Sequence, residues 1–265
     1  MSRESHVLSD VTGGIGTVVL NRPEKMNAFF GPMRDEIAEA LETMADREDV
    51  RVVVVTGAGR AFCTGADVGY MAGLLERGDY HEANALVRAG RRVVGTITSM
   101  AKPVIASLNG PAAGGGANLA LACDLRIASD RASIGQTFNR IGLHPDWGGT
   151  WLLPALVGRA RAAELFFFGD MIDAEDALRL GLVNRVVPHE RLEAETREWA
   201  ERLAAKPALP LALAKQALRL ADGASLDEML DYEGEAQDRC FRSADALEGT
   251  RAFMEKRAPE FGAGS

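Results

Sequence analysis

Cysteine and histidine are scarce in this chain of 265 residues, with three of the first and four of the second. Cys63, Cys123 and Cys240 lie far apart and make no C-x-x-C pair, which argues against both a disulfide framework and a zinc site. Such cysteine usage fits a reducing compartment, and a cytoplasmic location is expected. No metal site is expected either. The chain has no G-x-S-x-G elbow, no H-E-x-x-H helix, no Walker loop and no dinucleotide G-x-G-x-x-G. The N-terminal MSRESHVLSD lacks the apolar core of a secretory leader. Residues 104–123 form a long charge-free run, but Asn109, Pro111, the glycines and Asn118 disqualify it as a membrane span. That run reads as a buried core element. Basic residues are outnumbered 30 to 38, for a net charge of -8. This balance argues against nucleic acid or an anionic membrane as partner, while leaving room for a local cationic spot that meets a phosphate.

Glycine and aliphatic residues are abundant, and their arrangement is informative. Hydrophobic residues make up 47% of the chain, which suits a globular protein with one large core. In residues 102–130, KPVIASLNGPAAGGGANLALACDLRIASD, a β-branched run leads through Asn109-Gly110-Pro111 to Gly114-Gly115-Gly116 and an apolar helical run. This reads as strand, glycine turn, helix. The first amides of such a helix have no intrahelical acceptor and face outward as donors. A second unit lies upstream, where Val52-Val53-Val54-Val55 runs into the turn 57–67, GAGRAFCTGAD. Two such turns that each aim one amide at one oxygen make an oxyanion hole.

Residues 15–20 read as a strand ended by Asn21-Arg22-Pro23, and Met33, Ile37, Leu41 and Met44 share one helical face. Alternation of strands and helices points to an α/β fold. Residues 70–90 mix charges, glycines and short apolar groups and read as a mobile loop with helical pieces over the site. Residues 125–128 read as a strand and 161–168 as a helix. Asp173 reads as the cap of a further helix ended by Gly181. From residue 190 onward the pattern is helical over 192–204, 211–221 and 226–256. No linker separates the halves.

These stretches together resemble the enoyl-CoA hydratase/isomerase family, also called the crotonase family. The matching segments are NRPEKMNAF at 21–29, RAFCTGADV at 60–68, KPVIASLNGPAAGGG, ACDLRIAS, Gly135-Gln136, PDWGGT at 145–150, GLVNRVV and FMEKRAPEF. The likeness runs along almost the whole chain, in order. It implies a spiral of repeated ββα units over residues 1–190 and a helical region over 191–265 that assembles trimers, singly or paired into hexamers. It implies an acyl-CoA thioester as the partner molecule, with no cofactor beyond the coenzyme A of the substrate. The amides of Ala66 and Gly115 match the positions that hold the thioester oxygen. Lys25, Met26, Ala28, Asp67 and Val68, with Phe253 and Lys256 near the C-terminus, match segments that approach coenzyme A.

Hydratases of the family carry one Glu just after the glycine triplet and another in a GQPE-like motif. Here those positions are Asn118 and Phe138. Adding water to a double bond needs one group to activate water and one to supply a proton, and neither residue does that. One carboxylate remains beside the acyl chain: Asp146. Several isomerases of the family carry an Asp there, and the pattern GL-x-PD-x-GGTWLLP is closest to isomerases that rearrange a CoA-bound ring epoxide. The expected function is therefore an acyl-CoA isomerase, with Asn118, Phe138 and Trp147 lining the acyl pocket. Alternatives are a hydratase or lyase with atypical residues, an aryl-CoA dehalogenase using Asp146 as nucleophile, and a non-catalytic acyl-CoA-binding protein. Asp146 also has a bland reading as a helix cap before Gly148. His144 reads as a loop histidine and Cys63 as a small buried residue.

Overall fold

The computed structural model describes residues 5–262, so the first four positions of the N-terminal stretch read above for a leader lie outside it. A hairpin opens the chain. Strand β1 (Val7–Thr12) turns at Gly13-Gly14, both at positive φ, and pairs antiparallel with β2 (Ile15–Leu20). From there the large sheet grows by parallel addition of β3 (Val52–Gly57), β4 (Val104–Leu108), β6 (Leu125–Ser129) and β9 (Arg185–Val187), in the order β1-β2-β3-β4-β6-β9. The four-valine run Val52–Val55 of β3 is covered on both faces, as its lack of alternation requires.

A second, short sheet stands beside the first. It contains β5 (Ala112–Ala113), β7 (Ser133–Gly135) and β8 (Met171–Asp173), in the order β5-β7-β8. Parallel bridges from Phe29 to Ala66 and from Cys63 to Ala112 extend it backwards along the chain. Each turn of the chain thus gives one strand to the large sheet, a short strand or bridge to the small one, and then a helix. The helices are α1 (Gly31–Asp46), the pair α2 (Val68–Glu76) and α3 (Tyr80–Ser99), α4 (Gly115–Ala122) and α5 (Gly149–Phe168). This is the expected spiral of ββα units.

Helix α1 buries Met33, Ile37, Leu41 and Met44, the face read from the sequence. Residues 70–90 differ from the expected mobile loop. They belong to two helices, capped by the side chains of Asp67 and Asp79. The buried stripe of α3 is Leu86, Ala89, Gly90, Val93 and Ile97. Two of its five members are Ala and Gly, which weakens the apolar signal. A Cβ at Gly90 would run into the Trp147 indole, so the missing side chain is a packing requirement.

Helix α5 begins at Gly149, well before the expected residue 161, and breaks at Gly158 (φ 74°, ψ 163°). Asp173 caps α6 (Ala174–Arg179) by accepting from the Asp176 amide. Helix α7 (Leu192–Ala204) closes the outer face of the large sheet, where Leu192 and Ala200 pack with Val52, Val54, Ile105 and Ile127. Helix α8 (Ala208–Ala221) follows. The run expected at 226–256 is two helices, α9 (Leu226–Phe241) and α10 (Ala244–Glu255), separated because Ser243 caps the second one at the Ala246 amide. Leu218, Leu226, Phe241, Leu247, Phe253 and Met254 on these last helices are exposed, an apolar surface that α8–α10 leave uncovered. No helix among the described residues is long and apolar enough to cross a membrane.

Candidate active site

The two glycine turns meet at the seam of the small sheet. In the parallel bridge, Phe29 donates to the Gly65 carbonyl (2.8 Å) and accepts from the Asp67 amide (2.9 Å). A residue so bridged turns its own N–H and C=O to the opposite side. Ala66 therefore aims its amide away from Phe29, toward β5 and the start of α4. Gly65 sits at φ 81°, where a side chain is strained, and a Cβ there would stand 3.2 Å from the Gly115 amide nitrogen. Gly114 (φ 55°) ends β5 and starts α4 with no side-chain cap. Among the described residues, neither the Ala66 nor the Gly115 amide has a hydrogen-bond acceptor. Two main-chain donors thus sit side by side and unspent.

The loop 21–28 is pinned to this seam by Asn27, a fully buried side chain. Its Nδ2 donates to the carbonyls of Ala58 (2.9 Å), Ala61 (2.8 Å) and Phe62 (3.2 Å), and its Oδ1 accepts from the Arg22 amide. This explains why Met26 and Asn27 both adopt positive φ. Arg22 in turn donates to the Ala28 carbonyl and pairs with Asp67 at 2.9 Å.

Asp146 approaches from the other side. Its Oδ1 is buried without a hydrogen-bond partner and lies 3.7 Å from where a Cβ on Gly115 would be. Burial pushes its carboxyl up to about 6, with its own backbone amide and His144 opposing the shift. It caps nothing: α5 starts after Gly148, with no side-chain cap bond. The turn that carries it is held by its neighbours. Trp147 adopts φ 47°, stacks on Phe29 (4.3 Å between centroids, 12° between planes) and donates Nε1–H to the Leu86 carbonyl at 3.0 Å. Asn118 donates Nδ2–H to the Asp146 carbonyl at 2.8 Å and accepts from Gln136 Nε2 at 2.7 Å.

The site is thus a pair of free amides beside the half-buried Asp146, whose Oδ1 is buried and whose carboxyl is pushed up to about 6 by burial. The sequence model of the enoyl-CoA hydratase/isomerase family matches residues 10–264. The chain is 40% identical over 256 residues to the 1,2-epoxyphenylacetyl-CoA isomerase of Escherichia coli (strain K12), covering 96% of this chain and 97% of that one. It is 43% identical over 255 residues to a probable enoyl-CoA hydratase of Rhodobacter capsulatus, covering 95% and 96%. The crystal structure of an enoyl-CoA hydratase from Bacillus anthracis superposes with a TM-score of 0.91 at 37% identity, covering 97% of this chain and 98% of that one.

The chain belongs to the enoyl-CoA hydratase/isomerase family.

The fold is accordingly the crotonase fold. Of the residues singled out from the sequence, the fold brings Ala66, Gly115, Asp146, Asn118, Phe138 and Trp147 together. The Phe138 ring edge lies 3.7 Å from a Cβ position on Gly114. Trp147 touches the site through Phe29, with little surface of its own exposed. Lys25, Met26, Ala28, Asp67 and Val68 lie on the two segments leading into the Phe29–Ala66 bridge, with Lys25 and Val68 exposed. Asp67 caps α2 as well as pairing with Arg22. Phe253 and Lys256 stand apart, on and just after α10, which packs on α9; Phe253 is 84% exposed. Cys63 is fully buried and its thiol is pushed up to about 12 by that burial, so it is no nucleophile. His144 is exposed.

Sequence reasoning missed three contributors. Asn27 and Phe29 sit inside a recognised motif, but their roles depend on partners some 30 residues away. Gln136 carries the second buried acceptor without a partner, its Oε1.

Proposed function

We propose that this enzyme is an acyl-CoA isomerase. The thioester oxygen sits between the Ala66 and Gly115 amides, where the negative charge of an enolate is stabilised as it forms. The Asp146 carboxylate takes a proton from one carbon of the acyl group and returns it to another, or assists rearrangement of a strained ring. Nothing is gained or lost overall, so the step needs the thioester, one carboxyl and no redox or metal chemistry. The observation that carries this reading is the buried, unpartnered Asp146 oxygen beside Gly115. A carboxyl whose ionisation is pushed up to about 6 is both available as a base at neutral pH and basic enough to use. In this reading Lys25, Met26, Ala28, Asp67, Val68, Phe253 and Lys256 meet the coenzyme A portion. The exposed apolar side chains of α8–α10 meet other copies in a homotrimer or dimer of trimers.

Hydration is the second reading, favoured by the hydratase name of the Rhodobacter capsulatus relative. Against it stand Asn118 and Phe138, neither of which transfers a proton. A panel of enoyl- and aryl-CoA thioesters followed by mass spectrometry and absorbance separates the two. Isomerisation changes the spectrum at constant mass and is lost in Asp146→Asn. Addition of one water across the panel, undiminished in Asp146→Asn, overturns the isomerase reading.

A further inference from the structure

Asn118 is fully buried on α4 and its side chain makes two hydrogen bonds, neither of them within its own helix. Its Nδ2 donates to the main-chain carbonyl of Asp146, which also accepts from the Gly149 amide at 3.0 Å. Its Oδ1 accepts from Gln136 Nε2, which fixes the sense of the amide and leaves Nδ2 no alternative to Asp146. A Cβ at Gly149 would overlap the Asn118 amide, so the glycine is what allows the two segments to close. The turn between them is strained. Trp147 is a bulky residue at φ 47°, a conformation that costs roughly 1–2 kcal/mol for an L-residue. Such a turn persists only where its surroundings hold it. The holders are the Asn118 amide at one end and, at the other, the Trp147 stack on Phe29 and the Trp147 Nε1–H bond to the Leu86 carbonyl.

We propose that Asn118 is a positioning residue: its donor to the Asp146 carbonyl locks the strained 146–149 turn and so aims the Asp146 carboxyl at Gly115. The side chain itself touches no reacting atom in this scheme. It acts through the main chain of the residue that does. Gln136 is the outer member of the relay. The catalytic half of the proposal rests on the reading of Asp146 as the base; the conformational half does not.

The test labels the three tryptophans with 5-fluorotryptophan and reads them by ¹⁹F NMR, beside an activity assay. Trp147 reports on the turn, and Trp199, on the far face of the large sheet, reports on the fold. Asn118→Leu keeps the branched shape, though with bulkier methyl ends, and removes both the donor and the acceptor that Gln136 uses. The expected result is a shifted and broadened Trp147 signal with Trp199 unmoved. Deuterium uptake from D₂O into a 3-enoyl-CoA thioester should fall about 10- to 100-fold, the usual effect of misplacing a reacting group by about 1 Å. KM should change by no more than about threefold. An unmoved Trp147 signal overturns the proposal outright. Unchanged exchange in Asn118→Leu, with exchange lost in Asp146→Asn, overturns its catalytic half. If Asp146→Asn keeps exchange, the base reading fails, and the Trp147 signal alone decides the conformational half. Asn118→Asp is the second variant should the first fail to fold. It keeps the bond from Gln136 and can donate to the Asp146 carbonyl only while its new carboxyl is protonated. Above about pH 7, where Asp146 is ionised and the wild-type rate has levelled off, its exchange rate should therefore fall with rising pH. A wild-type profile in Asn118→Asp overturns the proposal.

Discussion

Replacing Asp146 by Asn should stabilise this protein, by an amount that depends on pH. In the folded state burial pushes the carboxyl to about 6, against an ordinary value of 3.8. Below about pH 4 both states hold the proton and the group contributes nothing. Between about 4 and 6 the native state binds more proton than the unfolded one, so wild-type stability falls as pH rises. Above about 6 the native state must ionise a buried group. The full cost is the shift of roughly two units at 1.36 kcal/mol each, or about 3 kcal/mol, an upper figure because local relaxation and water entry discount it. Asn has the same shape and no charge, so it escapes that cost. Its amide hydrogens lack partners in the same space, which adds a pH-independent offset.

The measurement is chemical unfolding of both proteins from pH 4 to 8, compared by midpoint at constant slope. The gap between them should open in favour of Asp146→Asn by one to three kcal/mol (order of magnitude) from the acid end to the neutral end, with the change centred near pH 5. Other titrating groups are common to both proteins and cancel in the difference. A gap constant across that range would mean that Asp146 is not held in a desolvating site, and would remove the physical basis for treating it as the base. Turnover should fall at least about 100-fold in the same variant. A gain in stability with a loss of activity marks a residue kept for its chemistry.

Three further outcomes follow from the geometry. Gly115→Ala puts a methyl 2.8 Å from the Phe29 ring and 3.7 Å from Asp146 Oδ1; thermal unfolding should show a loss of about 1–3 kcal/mol, and turnover should fall about 100-fold as the amide donor is displaced. Hydration of crotonyl-CoA should be poor, well below the roughly 10 per second of a typical enzyme, because Asn118 and Phe138 transfer no proton; absorbance of the enoyl thioester checks this. Light scattering after gel filtration should give a trimer or hexamer, and charged substitutions at Leu247 and Phe253, both exposed, should dissociate it, whereas a wild-type monomer at micromolar concentration would show that α8–α10 have no partner.

Much of this was legible in the residues. Val52 to Val55 announced a doubly covered strand, the Met33–Met44 spacing gave the face of α1, and the two glycine turns pointed to paired amides. What escaped has a common cause. Residues 70–90 read as a mobile loop with helical pieces because the packing stripe of α3 includes Ala89 and Gly90, the second a glycine that makes room for the Trp147 ring and adds no apolar signal of its own. The break between α9 and α10 hangs on the Ser243 cap, a local bond that an apolar period does not register. At the site, Asp146 stood out by motif, but its burial and its support by Asn118 join positions 28 residues apart in sequence. The sequence carries such pairs only as separate letters. The direction in which Ala66 points was equally hidden, since it follows from which side of the strand Phe29 occupies.

Both donors proposed to stabilise charge belong to the peptide backbone, at Ala66 and Gly115. Side-chain substitution does not delete a main-chain N–H, apart from proline or the misfolding of a turn. In the proposed mechanism the sink for negative charge is therefore the stable inheritance of this scaffold, and the proton-handling side chains around it are interchangeable parts. A library confined to positions 118, 136, 138 and 146 would vary the proposed reaction while leaving the Ala66 and Gly115 amides and the segments proposed to meet coenzyme A intact. Selection on such a library for water addition, ring opening or double-bond migration would show how few letters separate one catalyst from another.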